Sequence, residues 1–257
     1  MNLPVEVIEA VKTGRCVLFL GSRASLEAAE LADAPYPNAQ ELATKLGWKK
    51  PRPVLGTRPK PVAPSVEEGA QDYEQRQGRE KLIQELRQQV GAPVAPSSAF
   101  AAAARRFPLI YTTALDELLE RSGSFTVMTR NEPLPTAVDP AHPTLVRLRG
   151  SFHRPETILV TRRDFESHPL SVDQRKQLRT LIRNHVILFV GYRPEEEEFE
   201  RLFAELSDAF GGELPRCHLA VAQGPIDDFL WQKWVWRGLL MFMADPTEAM
   251  TELEAAL

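Results

Sequence analysis

The chain contains short apolar segments, each about as long as one β-strand, and segments with helical periodicity separate most of them. These apolar segments are CVLFL (16–20), LIYTT (109–113), FTVM (125–128), TLVRLRG (144–150), ILVT (158–161), VILFVG (186–191), CHLAVA (217–222) and LLMFM (239–243). Most lack alternation of apolar and polar residues, which is typical of strands covered on both faces. The sequence therefore predicts an α/β fold with a doubly wound, mostly parallel, Rossmann-like sheet.

Length and charge narrow the class of protein further. A chain of 257 residues is long enough for one large α/β domain over 1–257. The longest apolar segment, VILFVGY, has the size of a strand, so we expect no membrane span. A net charge of -4 gives no electrostatic reason to bind nucleic acid. The acidic, amphipathic first residues are unlike a signal peptide, which predicts a cytoplasmic protein.

One interval interrupts the alternation of strands and helices. Residues 35–107 are predicted to form a mainly helical insertion between the first two core strands. It includes a proline-rich, locally basic loop at 47–65, whose prolines exclude helix and central strand. That loop is either a solvated surface segment or an arm that binds a partner.

The two cysteines give no indication of a metal site. Cys16 and Cys217 both lie in apolar, strand-like segments, which predicts buried thiols in a reducing compartment. Two cysteines are too few for a zinc site made of four thiolates, so we expect no bound zinc.

Ligands of open α/β sheets bind beyond the carboxyl ends of the strands. The segments that follow the predicted strands are GSRAS (21–25), TTALD (112–116), RGSF (149–152) and GYRPEE (191–196). None of them matches a standard phosphate-loop, dinucleotide-binding, hydrolase or zinc motif. An arginine, Arg23, also stands where a phosphate loop usually has glycine.

Taken in order, the four segments resemble the sirtuin-like NAD-binding family, especially its bacterial defence-associated branch. That family reads approximately GAGxS, TTNYDxLLE, KLHGS and FxGYSxxD, and the segments AQDYEQRQGREKL and ILVTRRDF also resemble family features. The resemblance implies a nucleotide site, with NAD or ADP-ribose as its ligand. The positions implied to contact the ligand are Gly21, Ser22, Arg23, Ser25, Thr112, Thr113, Asp116, Arg149, Gly150, Ser151, Gly191, Tyr192, Arg193 and Glu196.

Two positions differ from the family pattern where its chemistry is performed. Active relatives use the motif histidine as general base and the asparagine of TTN to position water or ribose hydroxyls. The matching residues here are Arg149 and Ala114. Arginine keeps its proton near neutral pH, so it cannot act as a general base, and alanine orients nothing. The sequence therefore predicts a catalytically inactive site.

Arginine also replaces smaller residues at two further strand ends, at Arg23 and Arg193. One interpretation is that these residues and Arg149 form an anion pocket for a nucleotide, a phosphorylated metabolite or an acidic peptide. The other is that they fill a vacated NAD pocket and pair with acids such as Asp116 and Glu195–Glu198.

Two functions of different classes follow. The first is a non-catalytic sirtuin-like module, without a required cofactor, which senses a nucleotide or anion or acts as a scaffold in a bacterial regulatory or defence system. It would act with a protein partner, a fused or associated sensor module, or further copies of itself. The second is an NAD glycohydrolase that uses unconventional residues, with His153, Asp116 and Glu196 as the candidates.

Overall fold

The computed structural model describes residues 3–49, 65–91, 95–211, 217–221 and 226–257. Much of the predicted proline-rich loop at 47–65 lies outside these ranges. In chain order the elements are α1 (Val5–Lys12), β1 (Cys16–Leu20), α2 (Arg23–Leu31), α3 (Ala39–Lys45), α4 (Val66–Gln77), α5 (Arg79–Val90), α6 (Ser98–Ala104), β2 (Leu109–Thr112), α7 (Leu118–Ser122), β3 (Thr126–Thr129), β4 (Thr144–Arg147), α8 (Arg162–Ser167), α9 (Val172–Ile182), β5 (Val186–Val190), α10 (Glu197–Phe210), β6 (Cys217–Val221), α11 (Asp228–Trp236), β7 (Leu239–Met243) and α12 (Pro246–Ala256).

The sheet confirms the predicted α/β class. Its order is β3-β4-β2-β1-β5-β6-β7, and each neighbouring pair is parallel. The chain builds one half from β1 to β4 and then crosses to β5 on the other side of β1. The connection after β1 leads to β2 on one side, and the connection after β5 leads to β6 on the other. The crevice at such a switch point is where open α/β sheets bind ligands.

Both faces of the central strand are covered, as its uniformly apolar sequence requires. Along β1, Leu18 packs into a core that also contains residues of α1, α2, α6 and α12. Phe19 points the other way, into a core formed with α9, α10 and α11. This explains why no polar alternation is seen in CVLFL, since neither face of the strand meets water.

One predicted strand is wrong. ILVT, at 158–161, lies outside the sheet, although Ile158 and Val160 are buried in a satellite core. Thr161 instead begins α8, where it forms a reciprocal capping box with Asp164. The apolar character of this segment reflects packing against the helices of the insertion and not strand pairing.

The predicted insertion divides into two parts by its packing. Helices α4 and α5 contribute to the satellite core together with Leu46, Leu115 and Phe152. Helix α6, by contrast, packs in the main core, where Phe100 and Ala103 lie beside α12 residues. The separately packed part therefore ends before α6. No described helix is both long and apolar enough to cross a membrane.

Candidate functional site

The loops after β1 and β5 are in direct backbone contact at the switch point. Gly21 N–H donates to Val190 O at 2.9 Å, and Arg23 N–H donates to Gly191 O at 3.2 Å. A Cβ atom on Gly21 would lie 2.3 Å from Gly191 O, and Gly191 has a φ of +76°. Glycine is thus required at both positions for close approach of the loops, a structural role that is independent of any ligand.

The first loop is poorly suited to hold a phosphate with its backbone. Its N–H groups at Gly21, Arg23, Ala24, Ser25 and Leu26 all donate to carbonyl oxygens of the chain. A phosphate-binding loop instead directs such groups at the ligand. The sequence differs from a phosphate loop at Arg23, and the backbone differs as well, because its N–H groups already donate to carbonyl oxygens of the protein.

Asp116 joins three parts of the chain. Its carboxylate accepts hydrogen bonds from Ser25 Oγ at 2.8 Å, from Tyr36 Oη at 2.7 Å and from the Leu118 N–H at 3.0 Å. Burial, and then this carboxylate, hold the pKa of Tyr36 well above its usual range. With its oxygens so occupied, Asp116 fixes the loops of the site in place, and both it and Ser25 are buried.

Arg147, which the sequence did not single out, anchors the TTALD loop. Its side chain is 1% exposed, and it donates to Ala114 O at 3.1 Å and Asp116 O at 2.6 Å. It also forms an ion pair with Glu120, with its Nε at 2.8 Å from Glu120 Oε1. An arginine within the apolar segment TLVRLRG was the available signal, because a buried charge must be paired.

The threonines of the same loop hydrogen-bond within the protein. Thr112 Oγ1 donates to Leu20 O at 2.9 Å and accepts from the Ala114 N–H at 3.1 Å. Thr113 Oγ1 donates to Tyr192 Oη at 3.1 Å. Two of the segments that resemble the family, TT and GY, therefore contact each other in the folded chain. Burial raises the pKa of Tyr192 well above its usual range.

Arg149 lies at the predicted place and is ion-paired on both sides. Its Nη1 is 3.2 Å from Glu198 Oε1, and its Nη2 is 3.4 Å from Glu67 Oε1. Glu67 also accepts from Arg201, whose Nε lies 3.1 Å from Oε1. The guanidinium carbons of Arg149 and Arg201 lie 5.3 and 4.6 Å from the centre of the Phe165 ring. Glu67 and Arg201 come from α4 and α10 and were not predicted.

These side chains leave very little free space between them. The cavity between them has a volume of about 20 Å³, which is room for one water molecule. Its charged lining consists of Glu67, Glu198, Glu205, Arg130, Arg149 and Arg201. Arg130 is paired as well, since its two terminal nitrogens lie 3.0 and 2.9 Å from the oxygens of Glu205. Each arginine in the wall of the cavity therefore has a carboxylate partner.

The family model described as "SIR2-like domain" matches residues 108–236, half of the chain. The chain belongs to the SIR2-like domain family. The match begins just before β2 and ends with α11, so it covers the loops of Asp116, Arg149 and Tyr192. The loop after β1 and helices α3 to α6 lie outside it.

Comparison with solved structures gives a weaker likeness. One chain, reported under "Structural Basis for the Mechanism and Regulation of Sir2 Enzymes", matches with 11% identity and a TM-score of 0.48, over 98% of this chain and 97% of that one. A search of curated proteins finds no match.

The remaining predicted residues differ in their exposure and in the partners of their side chains. The side chain of Arg193 is 46% exposed and pairs with Glu195. The side chain of His153 is 80% exposed, with its Nε2 2.7 Å from Glu117 Oε1. Arg23 is half-buried at the start of α2. The second interpretation of the arginines, pairing with acids, thus describes Arg149 and Arg193, although the acids differ in part from those expected.

Gly150 and Ser151 have local structural roles. A Cβ atom on Gly150, whose φ is +83°, would lie 2.2 Å from Thr157 O. The Ser151 N–H donates to Thr157 Oγ1 at 3.2 Å. These contacts fold the chain after β4 back on itself, and the Leu159 N–H then donates to Arg149 O at 3.0 Å. The backbone of Arg149 is fixed on both sides in this way.

Glu196 is the carboxyl group in the SIR2-like site with the largest change in acidity. It precedes α10 and is half-buried. Burial, and then the neighbouring Glu198, raise its pKa to about 7, while Arg193 and Arg23 oppose the rise. A carboxyl group with such a pKa can exchange a proton near neutral pH.

The thiols are buried as predicted. Cys16 and Cys217 are both buried, and burial raises the pKa of Cys217 to about 12. Among the residues that the structure describes, no group of three metal-binding side chains is found.

Proposed function

We propose that this SIR2-like domain is a non-catalytic module that responds to an anionic ligand. The observation that carries the proposal is the state of Arg149. It stands where the resemblance places the general base, and its guanidinium is paired with Glu67 and Glu198. A paired guanidinium stays protonated near neutral pH, so this position cannot take a proton from water or ribose. The setting, a bacterial regulatory or defence system, rests on the motif resemblance alone.

The size of the cavity beside Arg149 supports the same proposal. Sites for small molecules and cofactors usually have volumes of about 300–1,000 Å³, and the cavity here has about 20 Å³. A dinucleotide therefore requires that the site open first. The position of His153 also argues against a catalytic role, because its side chain is exposed and pairs with Glu117 at the surface.

Glu196 favours a second candidate function, an NAD glycohydrolase with a non-standard base. A carboxyl group with a pKa of about 7 is half ionised at neutral pH, which suits a general base. It follows β5 in the same segment as Gly191. This candidate requires the domain to release nicotinamide from NAD and to lose that activity when Glu196 becomes glutamine.

The assay that separates the two candidates measures nicotinamide release from NAD by the purified protein. We expect no release above the rate without protein, because the family's base and its asparagine are both replaced. A general base alone contributes roughly 10²- to 10⁴-fold to a rate.

The variants His153→Ala and Glu196→Gln serve as controls, and we expect neither to change the background rate. Turnover of about 1 per second or faster, abolished by Glu196→Gln, would replace our proposal by the enzyme. Loss of such turnover in His153→Ala would instead assign the chemistry to the surface histidine.

Binding should also discriminate between ligands. We expect ADP-ribose to bind at least as tightly as NAD, because Arg149 places a fixed positive charge near an already cationic nicotinamide ring. Repulsion at short range in a partly desolvated site costs on the order of 1 kcal/mol, so Arg149→His should shift the preference towards NAD by about five- to tenfold.

Calorimetric titration of both ligands checks this ordering. The matched control is Arg193→His, which removes a guanidinium at an exposed strand end and should leave the preference unchanged. Equal shifts in both variants would mean that net charge, and not the place of Arg149, sets the preference.

A further inference from the structure

One deeply buried carboxylate at the strand ends comes from the insertion and not from a loop of the sheet. Glu67 lies in the first turn of α4 and is 3% exposed. It accepts from Arg149 Nη2 at 3.4 Å and from Arg201, whose Nε lies at 3.1 Å. Two guanidinium groups from different elements thus meet on one carboxylate that the sheet itself does not provide.

This arrangement has the geometry of a bound anion. Guanidinium groups from the β4 loop and from α10 converge on the carboxylate, and both lie against the ring of Phe165. Arginines that converge in this way are the usual recognition element for phosphate and carboxylate groups. Glu67 therefore occupies the position that an anionic group of a ligand would take.

The charge balance of the cluster indicates that Glu67 is the replaceable member. Arg149 has a second partner in Glu198 at 3.2 Å, and Arg201 has a second partner in Glu197 at 3.2 Å. Burial raises the pKa of Glu67 against the effect of both arginines, and Glu197 adds to the rise. If Glu67 leaves, each arginine keeps one carboxylate and gains free donors.

The other polar attachments of the first turn of α4 lie nearer to solvent. Ser65 Oγ donates to Glu197 Oε2 at 2.8 Å, and Glu68 pairs with Arg162 at 2.8 Å. The side chains of Glu68 and Arg162 are 38% and 46% exposed. Glu68 also accepts from Trp48 Nε1 at 3.2 Å. Exposed ion pairs contribute little to stability, and the carboxylate of Glu67 is the most deeply buried polar group that connects this turn to the strand ends.

We infer that Glu67 is an internal counter-anion that closes an anion site formed by Arg149 and Arg201. A ligand with a phosphate group binds to the two arginines by displacing the carboxylate and loosening the first turn of α4. This inference rests on the proposed function. It adds a gate, the carboxylate of Glu67 on the first turn of α4, which must move before a ligand can enter the closed site. In the closed state of the site, the cavity has a volume of about 20 Å³.

The test is a calorimetric titration with inorganic pyrophosphate at constant ionic strength, because salt screens such contacts. We expect Glu67→Gln to bind pyrophosphate at least tenfold more tightly than the unchanged protein. Glu68→Gln removes the same charge from the next residue of the helix and should change the affinity by less than twofold. Adding Arg201→Gln to Glu67→Gln should abolish the gain.

Two outcomes would overturn the inference. The first is equal affinity of the unchanged protein and Glu67→Gln, including no binding by either. The second is an equal gain in Glu68→Gln, which would reflect net charge only. Because Glu67→Gln removes a buried ion pair, thermal unfolding checks that it folds. Glu67→Asp keeps the charge on a shorter side chain and should show a smaller gain.

Amide hydrogen exchange gives an independent measurement in the unchanged protein. Pyrophosphate at saturation should reduce the protection of residues at the start of α4 and leave that of β1 and β5 unchanged. If pyrophosphate binds without this change in protection, the anion site of the two arginines is retained, but displacement of Glu67 and loosening of the first turn of α4 are refuted. Nicotinamide release from NAD would refute the proposed function and leave the pyrophosphate result standing, so the two failures are distinguishable.

Discussion

Replacing Arg147 by methionine is expected to lower the free energy of unfolding by about 3–5 kcal/mol, the usual cost of breaking a buried ion pair from one side. The side chain is 1% exposed. Its loss leaves the carboxylate of Glu120 without its guanidinium partner and the carbonyls of Ala114 and Asp116 without their donors. Methionine fills similar volume, so the cost arises from the unpaired polar groups and not from an empty cavity.

Urea denaturation followed by circular dichroism measures this difference at pH 7. Arg193→Met is the matched control, because its side chain is 46% exposed and should change stability by no more than about 0.5 kcal/mol. If Arg147→Met costs as little as the control, then the TTALD loop is held by other contacts. The hydrogen bonds of Asp116 to Ser25 and Tyr36 would then be sufficient.

The fold could be predicted from the local sequence pattern, because a strand that is buried on both faces consists almost entirely of apolar residues. CVLFL and VILFVG are uniformly apolar, and they became the adjacent strands at the centre of the sheet. ILVT carries the same local pattern but lies on helices of the insertion. Burial alone produces an apolar segment, and pairing with a neighbouring strand is not encoded within it.

The site could be predicted only as a set of positions. The resemblance placed Asp116 and Arg149 in loops at one end of the sheet, where the structure has them. It could not identify Glu67, which lies 82 residues from Arg149, because partners of long charged side chains are set by packing between distant elements. For the same reason, the side chain of His153 lies at the surface although its loop is at the site.

Replacing Glu196 by glutamine is expected to stabilise the protein at pH 8 by about 2–3 kcal/mol and to have little effect at pH 4. Burial has the largest effect on the acidity of Glu196, and the carboxylates of Glu198 and Glu195 and the guanidiniums of Arg193 and Arg23 have smaller effects. In the folded chain its pKa is about 7, against an ordinary value of 4.5. A difference of about 2.5 pKa units corresponds to roughly 3 kcal/mol, reduced somewhat by solvent at a half-buried group.

The sign follows from where the proton is held. Between pH 4.5 and about 7 the folded protein binds a proton at Glu196 that the unfolded chain has released, so stability falls as pH rises. Below this window the group is protonated in both states, and above it the folded protein carries the full cost of the buried charge. Glutamine has no charge to bury, so its advantage grows across the window and is constant above it.

Denaturation of both proteins at several values between pH 4 and 8 measures the difference, in which the titration of histidines and other shared groups cancels. Glu195→Gln, with a side chain that is 40% exposed, should change stability by less than about 1 kcal/mol throughout. The pH at which the difference becomes constant gives the pKa of the Glu196 carboxyl group in the folded protein without any substrate. A plateau that begins near pH 7 leaves Glu196 available as a base for the second candidate function, and a failure of the protein to hydrolyse NAD would then lie with the closed site. A flat difference would mean that Glu196 titrates like an exposed carboxylate, and the glycohydrolase would lose the one residue that favours it.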